Sequence, residues 1–341
     1  MVARIRGWAT RHLSYAGRLT LVSSVLATIH SYWATIFLIP NGILNRINAI
    51  CRNFLWSGKA EYHKALAISW DTCCTPQDEG GLGLKEVKNW NKSLLGKYAW
   101  WIATKKDHIW VKWVHSVYLK GTPWTDYTPP ADSSWSWRKI SHVMSIFTPA
   151  YTDGKWLNSH APYNICSGYN WLRQPQVKVP WRFLCWNSLN IPKTSFIFWA
   201  LMHKRLLTKD RLLRMGLVVD THCDICRSFP EDHQHLFSGC VYFKECSRLL
   251  QHQLKVRVPV SDMISWYSKA HISKLIKRVV GACYVSMIYQ IWKVRNEARL
   301  KMFVRQPEAL VQQVICDIKN RIQRLNKTKF KGRDRNWLCA L

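Results

Sequence analysis

Cys223 and Cys226 are separated by two residues, and His235 and Cys240 follow with four residues between them. Two thiols at that spacing share one tight turn, and a histidine and third cysteine just downstream can complete a tetrahedron. Such a set of sulfur and nitrogen donors suits Zn²⁺, and four ligands leave no vertex for water, which marks a structural site, not a catalytic one. Pro230 and Gly239 supply turns between the ligands. The competing reading is three core cysteines in a reducing compartment beside a surface histidine. His222, His233 and Cys246 lie close enough in sequence to replace one ligand, so spacing specifies the site more firmly than its membership.

The chain has 341 residues, enough for two or three domains. Fifty Lys and Arg face twenty Asp and Glu, a formal +30, which points to a polyanionic partner such as RNA or DNA. Twenty tryptophans lie mostly among apolar residues and are expected as core anchors, some free to stack on bases. Twelve dispersed cysteines without a small disulfide module fit a reduced nuclear or cytoplasmic setting.

Leu19 to Asn45 contains no charged side chain and follows Arg4, Arg6, Arg11 and Arg18, so a membrane anchor over residues 19–39 has to be weighed. With no acid before Glu61, an organelle transit peptide is also conceivable. Against both, Val22, Val25, Leu26, Ile29, Trp33, Ile36 and Phe37 repeat at helical spacing among Ser, Thr and His. One amphipathic helix over about Leu13–Phe37 is the better account.

The remaining pattern predicts a mainly α chain. Helices are expected over about Ile43–Trp56, Val87–Ala103, Ile109–Tyr118, Thr194–Leu207 and Lys209–Met215, with a long one over about Ser261–Phe303. Asp78-Glu79-Gly80-Gly81-Leu82-Gly83 reads as a turn: no Lys-Ser/Thr follows it, and its acidic lead-in repels phosphate. Residues 121–180 are punctuated by seven prolines and read as an irregular linker or eroded domain. Lys293 to Trp337 holds 13 Lys/Arg against four acids, a basic tail.

Several segments resemble a known family. His12-Leu13-Ser14-Tyr15-Ala16-Gly17-Arg18-Leu19, Arg52-Asn53-Phe54-Leu55-Trp56-Ser57-Gly58, Glu79-Gly80-Gly81-Leu82-Gly83-Leu84, Trp90-Asn91-Lys92 and Trp110-Val111-Lys112-Trp113 are similar to the region after the polymerase palm in plant LINE-type, non-LTR retrotransposon reverse transcriptases. Ile191-Pro192-Lys193-Thr194-Ser195-Phe196 and Leu207-Thr208-Lys209-Asp210-Arg211-Leu212 resemble that family's zinc-binding domain. Its hallmark is met by Cys223, Cys226, His235-Leu236-Phe237 and Cys240. Tyr289-Gln290-Ile291-Trp292-Lys293-Val294-Arg295-Asn296 resembles the helix that commonly follows. The resemblance implies a helical thumb-like region over 1–120, a linker over 121–180 shortened by deletion, a zinc-binding domain over 181–250, and a long helix with basic tail over 251–341.

Chemistry expected of the parent family is missing. Two-metal polymerases hold their ions with paired carboxylates, yet no two aspartates are adjacent. After residue 250 the acids are only Asp262, Glu297, Glu308, Asp317 and Asp334, without a ribonuclease H pattern. The resemblance places the palm and endonuclease upstream of the matching segment. Zinc deaminases need His-x-Glu, which does not occur, and a RING domain needs about twice as many ligands. The expectation is a non-catalytic remnant with structural Zn²⁺ on Cys223, Cys226, His235 and Cys240 and no small-molecule substrate. It would bind RNA or DNA non-specifically through Lys319, Arg321, Arg324, Lys327, Lys329, Lys331, Arg333 and Arg335. The alternatives are a remnant with no such binding, or a membrane-anchored protein.

Overall fold

A computed structural model describes residues 1–341 except 9–12, 62–67, 153–161, 218–219, 260–261, 326–335 and 339–341. Every regular element among the described residues is a helix, and the one β-type pairing is an isolated bridge between His222 and Pro230. The chain divides into two compact units, Met1–Val177 and Lys178–Leu341.

In the first unit, α1 (Tyr15–Leu21) and α2 (Asn41–Ser57) precede the central helix α3 (Val87–Ala103), which packs on α4 (Trp135–Thr152) and α5 (Ile165–Leu172). Glu86 starts α3 by accepting the free amides of Lys88 and Asn89 at 3.0 and 2.8 Å. The core is built from Leu95, Ala99 and Ile102 on α3, and Trp137, Val143, Met144, Phe147 and Tyr151 on α4, joined by Val114 and Leu119. Gly96 permits this approach, because a β-carbon there would collide with the Tyr163 hydroxyl and the Phe147 ring. Fully buried Asn91 donates to the carbonyls of Ala34 and Phe37 at 2.8 and 2.9 Å and accepts from the Ile39 amide at 2.8 Å. The asparagine of the Trp90-Asn91-Lys92 motif therefore pins the chain leading into α2.

Two sequence expectations need correction, and one alternative loses its footing. The helix expected over Leu13–Phe37 is broken: α1 ends at Leu21, a wide π turn covers Val22–Leu26, and a short helix covers Ser31–Ala34. Thr20, Ser23, Ser24 and Thr28 all donate back to carbonyls three or four residues earlier, which bends helices. No helix among the described residues is long and apolar enough to cross a membrane, so the anchor over 19–39 finds no support. The stretch 121–180 is not irregular throughout, since it supplies α4 and α5. Its prolines masked an apolar stripe through Trp137, Met144, Phe147 and Tyr151 that runs along α4. The Gly-rich turn is a structural corner: Glu79 holds Arg173 through two hydrogen bonds at 2.5 and 2.8 Å, and Gly80 takes φ 97°.

The second unit contains α6 (Pro192–Met202), α7 (Lys209–Arg214), α8 (Val241–Leu254), α9 (Met263–Lys269), α10 (Lys274–Lys301) and α11 (Pro307–Arg324). Helix α10 packs on α6 and α11, and α11 packs on α8. The long helix expected from about Ser261 is two helices, because Ser273 caps α10 by accepting the Ile276 amide at 3.2 Å. The basic tail expected from Lys293 is largely folded: it completes α10 and forms α11, which buries Leu310, Val311, Val314, Ile315, Ile318 and Ile322. Charge count alone hid that apolar stripe.

Candidate metal centre

The four expected ligands converge. One ligand atom from each of Cys223, Cys226, His235 and Cys240 lies within 4.8 Å of all the others, and no other such group of His, Cys, Asp and Glu occurs among the described residues. Ligand atoms around a tetrahedral zinc, with bonds of about 2.0–2.3 Å, sit about 3.5–3.8 Å apart, so small adjustments close the site. Cys226 Sγ already lies 3.3 Å from His235 Nε2.

Local backbone chemistry explains the convergence. The Cys223 amide donates to the Phe229 carbonyl at 2.8 Å, the Glu231 amide donates to Thr221 at 2.8 Å, and the His222–Pro230 bridge lies between them. These bonds fold 221–231 into a small loop, tightened where the Arg227 amide donates to the Cys223 carbonyl at 2.9 Å with Arg227 at φ 56°. His235 opens a wide turn, His235–Gly239, and its amide donates to Asp232 at 2.6 Å. Cys240 ends that turn and stands at the start of α8.

Cys223 and Cys240 are buried, and Cys226 and His235 are half-buried. The Cys223 thiol hydrogen-bonds Cys240 and holds Cys240 below the ordinary thiol value, helped by the Phe243 and Tyr242 amides of α8. The same bond, with burial, pushes Cys223 up. Burial also lowers His235, favouring the neutral imidazole that a metal requires.

The residues that could have substituted lie elsewhere in the network. His222 Nδ1 pairs with Asp220 at 3.1 Å, and His233 Nδ1 lies 3.3 Å from the Thr208 hydroxyl. Buried Cys246 is pushed up to about 12 by desolvation, with Tyr242 as its neighbour.

Sequence reasoning missed a set of charged side chains that meet at the loop. Lys209, at the start of α7, is only 4% exposed; its ammonium reaches Asp224 at 2.6 Å, the His222 carbonyl at 2.6 Å and Asp220 at 3.4 Å. Glu231, 1% exposed, accepts the Lys209 amide at 3.0 Å and clasps Arg295 of α10, itself 2% exposed, with contacts of 2.5–3.1 Å. Lys209 and Arg295 both belong to segments quoted above, yet nothing in their spacing tells that they meet.

Of the expected phosphate-binding residues, Lys319, Arg321 and Arg324 occupy α11, with Arg324 exposed. Lys327, Lys329, Lys331, Arg333 and Arg335 lie outside the described residues.

Comparison with known proteins follows the same lines. Residues 163–246 match the family described as zinc-binding in reverse transcriptase, and this segment contains all four clustered residues. A putative ribonuclease H protein of Arabidopsis thaliana is 34% identical over 143 residues, covering 41% of this chain and 23% of that relative. An uncharacterized mitochondrial protein of the same plant is 22% identical over 118 residues, covering 34% of this chain and 77% of that protein. The chain thus spans less than a quarter of the first relative's length. No solved structure matches it. Over residues 163–246, then, this chain is similar to the zinc-binding domain of reverse transcriptases, and the four clustered residues lie inside that match.

Proposed function

We propose that this chain is a non-catalytic, nucleic-acid-binding part of a LINE-type, non-LTR reverse transcriptase, whose second unit is held together by one structural Zn²⁺. The observation that carries the reading is the convergence of Cys223, Cys226, His235 and Cys240 from two separate turns. When bound, the ion would cross-link the 221–231 loop to the start of α8. Three thiolates and an imidazole fill a tetrahedron and leave no position for an activated water.

Binding of RNA or DNA rests on charge. The formal +30 is carried by a fold whose helices bury their apolar faces and leave most of the described Lys and Arg, Lys209 and Arg295 apart, at least partly exposed. Lys319, Arg321 and Arg324 on α11, with Lys327, Lys329, Lys331, Arg333 and Arg335 after it, would contact phosphates without reading sequence. Exposed Trp33, Trp113 and Trp135 offer faces on which bases can stack. The lack of adjacent aspartates supports a role without phosphoryl transfer, and dispersed cysteines without a small disulfide module suit the nucleus or cytoplasm.

The test is salt-dependent binding by the full chain. Labelled single-stranded RNA, single-stranded DNA and duplex DNA of several sequences are titrated at several salt concentrations. Similar affinities that fall steeply with salt support the proposal; no binding at low salt would leave a remnant with only a structural domain.

A further inference from the structure

The metal ligands rest on a layer of buried charge that reaches beyond the matched segment. Asp224 lies inside the Cys223–Cys226 turn, and Lys209 grips that turn twice, through the Asp224 carboxylate and the His222 carbonyl. Asp224 Oδ2 is buried without a hydrogen-bond partner, and the cation facing it is Arg295, 3.9 Å away. Glu231 closes the far end of the loop. Its amide donates to Thr221, its carbonyl accepts from the Asp210 amide at 3.2 Å, and its carboxylate holds both Arg295 and the Lys209 amide. The remaining Arg295 nitrogen, Nη1, donates to Asn296 at 3.1 Å.

We infer that Lys209 and Arg295 are positioning residues of the metal centre, and that the zinc-binding unit therefore extends past residue 246 to α10. The inference rests on the zinc reading proposed above. Lys209 fixes the curvature of the turn that aims Cys223 and Cys226. Arg295 fixes Glu231, and through it the base of the loop, against a helix some fifty residues downstream of the last ligand. Backbone hydrogen bonds shape the loop, and the buried pairs anchor it to α7 and α10. Partners that orient first-layer ligands commonly change metal affinity tenfold to a hundredfold when removed. Arginine suits this role because its planar fork meets a carboxylate with two parallel bonds, which a lysine cannot reproduce.

The experiment uses the full chain, loaded with zinc under reducing conditions. Zinc affinity is read by competition with a chromogenic chelator, and site geometry by the visible absorption of the cobalt-substituted protein. Arg295→Met should weaken zinc about tenfold to a hundredfold and perturb the cobalt spectrum. Arg295→Lys should recover part of the loss, and Arg299→Met, on the exposed end of the same helix, should match the parent. Should Arg295→Met fail to fold, Lys209→Gln leaves the Arg295–Glu231 pair intact and should weaken zinc in the same direction. Variants that melt earlier yet keep parental zinc affinity and cobalt spectrum would overturn the inference, leaving these pairs a purely structural role. A parent chain that binds no zinc at all would instead overturn the metal-centre reading on which it rests.

Discussion

Cys226 Sγ and His235 Nε2 stand 3.3 Å apart although one comes from a four-residue turn and the other from the wide turn before α8. A bridging ion accounts for the approach of these two ligands. A metal there would cross-link the two turns, and its binding free energy would become folding free energy.

The purified chain should therefore carry about one Zn²⁺ per molecule and lose structure in the second unit when a strong chelator removes it. Cys226→Ser should abolish both effects. Cys185→Ser should keep the metal, since Cys185 is buried elsewhere, with its thiol 3.6 Å from the Ser195 carbonyl. Elemental analysis alongside circular dichroism decides the matter; metal content near zero in reduced parent protein would return these residues to ordinary core cysteines.

Zinc retention should fall as pH drops, because protons compete for three thiolates and an imidazole. The sign follows from His235. Its folded value is depressed below the ordinary 6.5, so the neutral ring is fully available above that value and its contribution is lost as pH falls below it. Cys240, also held low, stays a thiolate further into acid than an exposed cysteine does. Chelator-free dialysis over a pH series measures this, and retention unchanged down to strong acid would contradict it.

The four residues that cluster were legible in the sequence because the Cys-x2-Cys spacing and the following His and Cys fall within one short stretch, with His222, His233 and Cys246 standing as alternatives. The ionic layer was not, since Arg295 meets Glu231 across 64 positions and charge pairs leave no local periodicity. The fold class was legible for a similar reason: the apolar stripes of α2, α3 and α10 repeat at helical spacing. Breaks were harder to see. The kink after Leu21 depends on hydroxyl-to-carbonyl bonds, and the helical nature of α4 was masked by prolines, of which Pro149 lies within the helix itself.

Asn91→Leu should destabilise the first unit by about 3 kcal/mol or more, because the Ile39 amide and the Ala34 and Phe37 carbonyls would lose their partner at once. Zinc content of the second unit should be untouched. Chemical denaturation of the variant checks this, and a midpoint equal to the parent's would show that the segment before α2 holds itself.

His30 offers a second acid-sensitive point. It is 6% exposed, neither ring nitrogen has a hydrogen-bond partner, and burial holds its pKa below 6.5. Stability from the neutral ring is thus present above that value and lost as pH falls. His30→Leu should make melting of the first unit less dependent on pH between about 7 and 5. An identical pH slope in parent and variant would remove His30 from the account.

With template, primer, Mg²⁺ and nucleotides, the chain should extend nothing, since no adjacent aspartates are present to hold two metal ions. Template-dependent incorporation that survives further purification would overturn the non-catalytic proposal.

Nucleic-acid binding should depend on salt in proportion to the phosphates contacted, because each neutralised phosphate releases a counterion. Helix α11 buries its apolar stripe in the second unit, so deleting everything after Phe303 would confound charge with folding. Replacing Lys327, Lys329, Lys331, Arg333 and Arg335 with Gln removes charge alone. If all five contact phosphate on a duplex, the slope of log affinity against log salt should flatten by about 4.5 units, near 0.9 per contact. His235→Ala should lower affinity while changing that slope less, because it disturbs the metal centre without removing a Lys or Arg. A five-residue charge variant that keeps both the affinity and the slope of the parent would confine phosphate contacts to the helical units and exclude this terminal segment.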